Sequence, residues 1–365
     1  MNPCGKKRLL WIVNHKTLMP AEVPILRSLG WEVFVPKILP SDDPGFRSAA
    51  TTYEYDAALE LPPATLRVLN RHNFIQLDWP PTVEEIVNAH FGVVVAHFSY
   101  YTAPLFAAAC KFHGMLITRA FGREHPRRFS EFATLANRPG LLDHLAAMGD
   151  RFVFGQGYAN IAEVEDPPLR QRARTITVPL PDWMYRSRDS WEGGGGSGVF
   201  LCPSVGIPGY YGDLYNGIKR DFGHLPHVIF GRQPIPVSDP AVLPYLNDDD
   251  LLALYRSAPV FIYPSTEPRH IHYSPIEAII VGTPVLYRCG TLMDLIAGDC
   301  LPGACADTAE MEDKAKRLIA GDRTLAETIR ASQWRILDVF ASSRAREQWA
   351  AILPGTTQRS AGCHR

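Results

Sequence analysis

The chain has 365 residues, 46% of them hydrophobic and 21% charged, with a formal net charge of −1. That length exceeds one ordinary core and predicts two domains. The balanced charge argues against a nucleic-acid partner, whose binding depends on clustered cations. Seven cysteines form no CxxC pair and have no histidines beside them at zinc-site spacing, so they read as free thiols in a reducing cytoplasm.

The predicted elements begin with Leu9–Val13, an apolar run behind a basic segment. It is too short for a secretory signal and reads as a first buried strand. A helix over Ala21–Leu29 tolerates Pro24 in its first turn, and Trp31–Val35 is a second strand. Val93–Ala96 is a fully buried strand, Ala103–Phe112 a small-residue helix, and Met115–Thr118 the next strand. Arg151–Phe154 and Thr175–Val178 close the series. Continuous apolar strands joined by helices predict a parallel sheet covered on both faces. The glycine-rich stretch SWEGGGGSG at 190–198 is the sharpest composition break and reads as a flexible interdomain connector.

A second α/β series starts at Val199–Cys202 and runs through a helix near Leu214–Phe222 and the strand Val228–Phe230. Helices around Glu310–Ile319 and Leu325–Phe340 follow. The expected organisation is a first domain over 1–185, a linker over 186–198 and a second domain over 199–340. A further helix covers 341–353, and the polar tail 354–365 reads as disordered. No apolar stretch is long enough to span a bilayer, so membrane contact would be peripheral, at the inner face.

Residues 244–288 carry the most information. A short amphipathic helix (Leu251, Leu252, Leu254, Tyr255) precedes the buried strand Val260–Tyr263, a Pro-Ser turn and a histidine-rich loop. A capped helix with Glu277 in its first turn follows, then Gly282-Thr283-Pro284 and the strand Val285–Tyr287. Taken alone, Ser274-Pro275-Ile276-Glu277 is a capping box with Ser274 at N-cap and Glu277 reaching back to a backbone N–H. The same helix start offers N–H groups and a positive dipole end that suit a diphosphate. His270, His272 and Tyr273 read either as exposed polar rings or as contacts to phosphate, base or sugar; no companion carboxylate pattern supports a metal. The loop Pro203–Gly212, with Ser204, has the glycines that let backbone approach a phosphate. Arg119, Arg123, His125, Arg127 and Arg128 form the densest cationic cluster, either a solvated loop or an anion site beyond a strand's carboxyl end.

This order of elements resembles the nucleotide-sugar half of the GT-B glycosyltransferases, particularly the family-four retaining sugar transferases. The resemblance runs well from about Val199 to Leu295 and more weakly through the first half. It implies an α/β chain of two Rossmann-like domains facing each other across a cleft, with Trp334–Leu353 forming helices that return to the first domain and the helix over 341–353 packing back on it. The second would hold a nucleotide-diphosphate sugar of UDP or GDP type, and the first a glycan or lipid-linked acceptor, with no bound cofactor or metal. In the relatives the glutamate matching Glu277, followed by Ala278 and the Gly-Thr-Pro turn, binds the ribose hydroxyls. A histidine matching His97 lies beside the transferred sugar.

Two departures stand out. Arg269 occupies the place of a second glutamate, and Asn14-His15-Lys16-Thr17 replaces a glycine pair. The relatives' diphosphate-binding arginine and lysine have no direct match, leaving Lys219, Arg220, Arg232 and Arg269 as candidates. The implied catalytic set is His97, Arg269 and Glu277. The donor set adds Ser204, Lys219, Arg232, His270, His272, Tyr273 and Ser274, and the acceptor set is His15, Lys16, Arg119 and Arg123. The expected reaction is sugar transfer to an acceptor hydroxyl in surface polysaccharide or glycoconjugate synthesis. Retention of configuration is the family pattern; inversion needs a base such as His97, Glu124 or His15. A nucleotide-sugar or glycan binder without turnover, and a sugar-nucleotide epimerase, stay open because of the two departures.

Overall fold

The computed structural model describes residues 7–13, 15, 17–36, 59–98, 102–131, 140–298 and 300–355. Lys16 and most of the polar tail, 356–365, lie outside the described residues. The chain divides into two compact units, Met1–Leu180 with Phe340–Arg365, and Pro181–Val339.

The first unit is built on a parallel sheet in the order β2-β1-β3-β4-β5-β6. Its strands are β1 (Arg8–Trp11), β2 (Glu32–Phe34), β3 (Val93–His97), β4 (Met115–Ala120), β5 (Phe152–Gln156) and β6 (Ala173–Thr175). The central strands register Val94 with Leu116 and Leu116 with Phe152, all three buried. Burial on both faces is why these strands read as continuous apolar runs rather than alternating ones. Helices α1 (Met19–Ser28), α2 (Pro63–Arg71), α3 (Pro81–His90), α4 (Ala103–Lys111), α5 (Leu141–Ala147) and α6 (Pro167–Gln171) connect them. Helices α2 and α3 are not anticipated by the apolar pattern; each opens on a Pro-Pro pair, with the second proline at its first position.

The second unit has the sheet order β11-β10-β9-β7-β8, again parallel. Its elements are β7 (Gly198–Leu201), α7 (Tyr210–Phe222), β8 (His227–Phe230), α8 (Asp248–Ser257), β9 (Phe261–Tyr263), α9 (Tyr273–Val281), β10 (Val285–Arg288), α10 (Leu292–Ala297), β11 (Ala304–Cys305), α11 (Thr308–Ile319) and α12 (Arg323–Gln333). The apolar core gathers Phe200, Ile229, Ile262 and Leu286 from the strands with Ile218, Leu318 and Ile329 from the helices. The predicted helix over Leu325–Phe340 is shorter, because a 3₁₀ segment takes over at Trp334–Phe340.

The final helix, α13 (Ser342–Ile352), belongs to the first unit, where it packs on α1. Trp349 is fully buried there, and Gln348 Oε1 accepts from Thr177 N at 2.7 Å.

The glycine-rich stretch differs from the expected connector. Trp191 donates its indole N–H to Ala258 O at 2.7 Å, and Gly193 and Gly195 donate to Arg256 O and Ser257 O at 3.0 and 2.8 Å. Arg330 lies 4.6 Å from the Trp191 ring centroid. These bonds satisfy the backbone of the glycine-rich stretch against the end of α8, so it is part of the second unit's wall. The unit boundary falls earlier, after Leu180.

Candidate functional site

In an open parallel sheet the strand ends and the helix N-termini that follow them share one edge, where ligands are bound. In the second unit that edge is formed by the segments after β7, β8 and β9. Ser204 follows β7 with φ +54°, and its N–H donates to Arg232 O at 2.8 Å. Gln233 ties the two loops together: its Oε1 accepts from Val205 N at 2.9 Å, and its Nε2 donates to Cys202 O at 2.9 Å. Arg232 thus stands on the ligand edge, half-buried, immediately beyond β8.

Gly231 permits this arrangement, since its φ is +133° and a Cβ there would come within 2.8 Å of Pro203 N. Gly231→Ala is expected to destabilise the second unit by about 1–3 kcal/mol. The loss will appear as a lower urea midpoint with an unchanged slope.

The segment after β9 carries Glu267, Arg269, His270 and His272 into α9. His272, not Ser274, is the N-cap residue of α9, and no side chain caps the helix. Ser274 is the buried second residue of the helix and Glu277 lies beyond its first turn, so the expected capping box does not form. Glu277 is half-buried, and the Tyr255 hydroxyl donates to its Oε2 at 3.2 Å. The helix ends at Gly282 with φ +95°, and Thr283 Oγ1 donates to Tyr255 O at 2.8 Å, which fixes the tyrosine's backbone.

His272 is a brace rather than a ligand contact. Its Nε2 shares a hydrogen bond with the Tyr211 hydroxyl and its Nδ1 with the Tyr263 hydroxyl, both at 2.9 Å. Burial, reinforced by neighbouring His270, pushes its pKa well below the ordinary value. The neutral ring therefore locks the first turn of α7, the end of β9 and the start of α9 together. Arg269, His270 and Tyr273 remain half-buried on the same edge. Tyr211, Tyr263 and Gln233 carry no motif signal: tyrosine at a strand end reads as core, and glutamine after a turn as solvent.

Lys219 lies elsewhere. It is nine residues into α7, roughly 14 Å along the axis from the helix start. It pairs with Asp239 at 2.9 Å and contacts Nε2 of His227, the first residue of β8, at 3.2 Å. That is the opposite edge of the sheet, so Lys219 is not a phosphate ligand here.

In the first unit the corresponding edge carries His15 and His97. His97 is the last residue of β3 rather than the residue after it. It lines a small cleft with Ile12, Phe74, Ile75, Ala96, Pro104 and Leu105. His15 Nδ1 accepts from Leu18 N at 3.1 Å at the entrance to α1, and its ring stands edge-on to Phe121 at 5.2 Å. Desolvation, then His97 and Arg119, lowers His15 to about 3, and desolvation lowers His97 to about 4.

Both folded values lie below the ordinary 6.5, so the unfolded chain takes up these protons first. The stability they contribute is complete above pH 6.5 and drains away as pH falls toward about 4 and then 3. The denaturation midpoint should fall between pH 7 and 4.5, and fall less in His97→Gln.

Arg119 is not an acceptor residue. Its side chain is fully buried, with Nη2 2.5 Å from Glu22 Oε1 and Nη1 donating to Gly155 O at 3.0 Å. The expected loop cation is instead a core cation, because β4 continues through Ala120. Arg123, in the following loop, is half-buried, with its guanidinium 5.8 Å from the Phe129 ring centroid.

No family model and no curated protein matches this sequence. Solved structures do match along nearly the whole chain. A glycosyltransferase from Rickettsia africae is 13% identical, with 96% of this chain and 100% of that one covered and a TM-score of 0.56. The Anabaena protein Alr3699/HepE in complex with UDP is 12% identical, covers 94% and 98%, and has a TM-score of 0.59. A UDP-forming trehalose-phosphate synthase from Burkholderia xenovorans is 11% identical, covers 96% and 100%, and has a TM-score of 0.56. The fold is GT-B.

A GT-B chain carries two such sheet edges, and here they differ in character. That of the second unit combines a half-buried carboxylate, a helix start and loops bearing Arg232 and Arg269. That of the first unit presents two imidazoles that stay uncharged near neutral pH. Among the described residues, no group of three or more His, Cys, Asp or Glu side chains could hold a metal ion. Among them too, no helix is long and apolar enough to cross a membrane.

Proposed function

We propose that this protein is a glycosyltransferase that moves a sugar from a nucleotide-diphosphate sugar to an acceptor hydroxyl, in the synthesis of surface polysaccharide or another glycoconjugate. The observation that carries the reading is Glu277: a half-buried carboxylate near the start of α9, at the ligand edge of the second sheet, that accepts from the Tyr255 hydroxyl. A carboxylate there accepts two hydrogen bonds from the vicinal hydroxyls of a ribose. The start of α9 supplies N–H donors and a positive dipole end for the diphosphate. Arg232 and Arg269 stand on the same edge to balance charge that grows on the departing diphosphate. No metal enters this scheme.

Among solved structures of this fold, the one from Anabaena contains UDP, which supports a uridine donor. In the proposed reaction the first unit receives the acceptor through His15, Lys16, His97 and Arg123. Retention is the outcome the resemblance implies. Of the three candidate bases for inversion, burial lowers His97 to about 4 and His15 to about 3, which makes these two weak bases and leaves Glu124 as the third.

A thermal-shift panel of UDP, GDP, ADP and CMP, followed by donor-turnover assays with the nucleotide that binds, tests the reading. Stabilisation by a nucleoside diphosphate and release of that nucleotide from its sugar support it. Stabilisation without release would leave a binding protein, and no stabilisation by any of the four would remove the donor site.

A further inference from the structure

The Gly-Thr-Pro turn between α9 and β10 is bonded on both sides. From α12, Arg330 Nε donates to Gly282 O at 2.8 Å. The buried amide of Gln333 takes the next backbone groups: its Nε2 donates to Thr283 O at 2.9 Å, and its Oε1 accepts from Val285 N at 3.1 Å. Thr283 is fully buried, and its N–H donates to Ala278 O at 3.0 Å. On the other side its Oγ1 donates to Tyr255 O at 2.8 Å.

That carbonyl needs a donor from outside its own helix. Tyr255 stands in the last turn of α8, where the residue four positions on is Pro259, which has no N–H to give. The N–H of Ala258, one residue nearer, already donates to Leu254 O at 3.0 Å. The Thr283 hydroxyl supplies what the helix end lacks and ties α8 to the turn. The Tyr255 ring packs against Phe230 and Phe261, with centroids 5.9 and 6.0 Å apart, and its hydroxyl donates to Glu277 Oε2 at 3.2 Å. That O–H···O bond is already long, so a small displacement of α8 would break it.

We propose that Thr283 is a positioning residue of the donor site, holding the Tyr255 hydroxyl on the carboxylate of Glu277. It plays this part on the reading that Glu277 meets the ribose of the donor, and it touches no ligand itself. Three hydrogen bonds in series link α12 to the carboxylate: Gln333 to Thr283, Thr283 to Tyr255, and Tyr255 to Glu277. Removing the Thr283 donor leaves a buried carbonyl unsatisfied, and the end of α8 must shift to find another partner.

Calorimetry of UDP against the full-length chain, well below the melting temperature of each variant, tests this. Thr283→Val should weaken UDP binding a few-fold, and by no more than Tyr255→Phe does, because it acts through that hydroxyl. Thr283→Ser restores the donor and should recover most of the affinity. In the Tyr255→Phe background, Thr283→Val should weaken binding no further, as expected of residues acting in one series. In the ligand-free protein, the carboxyl-carbon resonance of Glu277, assigned with Glu277→Gln, should move alike in Thr283→Val and Tyr255→Phe. It should return toward its wild-type position in Thr283→Ser. A Thr283→Val chain that melts lower yet keeps wild-type UDP affinity and the wild-type Glu277 resonance would overturn the proposal. Equal losses of affinity with and without the Tyr255 hydroxyl would overturn it too. Wild-type UDP affinity in Glu277→Ala would instead remove the ribose contact, while the shared shift of the Glu277 resonance would persist. Weakened binding in Glu277→Ala with unchanged binding in Thr283→Val would remove the part played by Thr283 and leave the ribose contact standing.

Discussion

Arg119→Ala should destabilise the protein by about 3–5 kcal/mol, the cost of leaving one member of a buried ion pair without its partner. Arg119 and Glu22 both have side chains with no solvent exposure. Glu22 receives Arg119 Nε at 3.0 Å as well as the shorter Nη2 contact. Burial raises the Glu22 carboxyl and the guanidinium works against that shift, so removing the arginine leaves burial unopposed. The guanidinium also lies over the Phe121 and Trp349 rings, at 5.3 and 5.8 Å from their centroids. Trp349 comes from α13, so the loss extends to the helix that ends the described chain. The double variant Glu22→Leu with Arg119→Met removes both charges at similar volume and should recover most of the stability. Urea denaturation measures both; a cost below about 1 kcal/mol for Arg119→Ala would mean that the pair is solvated rather than sealed.

The same pair shows where sequence legibility ended. Arg119 stands at the head of a cationic run, and nothing in Arg119–Arg128 marks one member as interior. Its burial depends on Glu22, which is far away in sequence and sits on a helix whose apolar stripe gives no hint of an inward carboxylate. The strands were readable because a doubly covered parallel sheet demands uninterrupted apolar runs, which Val93–Ala96 and Val260–Tyr263 supply. Their ends were readable to within a few residues. The capping box at Ser274 failed for a local reason. His272 takes the cap position because two tyrosine hydroxyls hold its ring, and this shifts the helix start upstream. Lys219 failed through helix length: a motif counted along the chain ignores that nine helical residues carry a side chain to the far edge. The glycine run failed because flexible composition says nothing about available partners, and the backbone of Arg256 and Ser257 supplies them. Arg232 lies on the ligand edge because it follows β8, whereas Glu277 sits within α9 and is singled out only by the resemblance of its helix and the Gly-Thr-Pro turn after it.

Glu277→Ala should weaken nucleoside-diphosphate binding roughly 10–100-fold, the range expected when hydrogen bonds to a charged group are lost. Fold stability should change little, since the side chain is half-buried and its hydrogen bond from Tyr255 is long at 3.2 Å. Calorimetry of UDP against wild type and variant gives the ratio directly, and the melting temperature without ligand separates binding from unfolding. Glu277→Gln keeps the shape but loses the charge, so it should fall between the two. Tyr255→Phe removes one donor to the carboxylate, and its effect on affinity should be smaller again, a few-fold. This ordering distinguishes a ribose-binding carboxylate from one that merely sits near the ligand: a neighbour would respond to charge alone, with Gln as damaging as Ala. Wild-type UDP affinity in Glu277→Ala would place the ribose elsewhere, and with it the sugar and the departing phosphate.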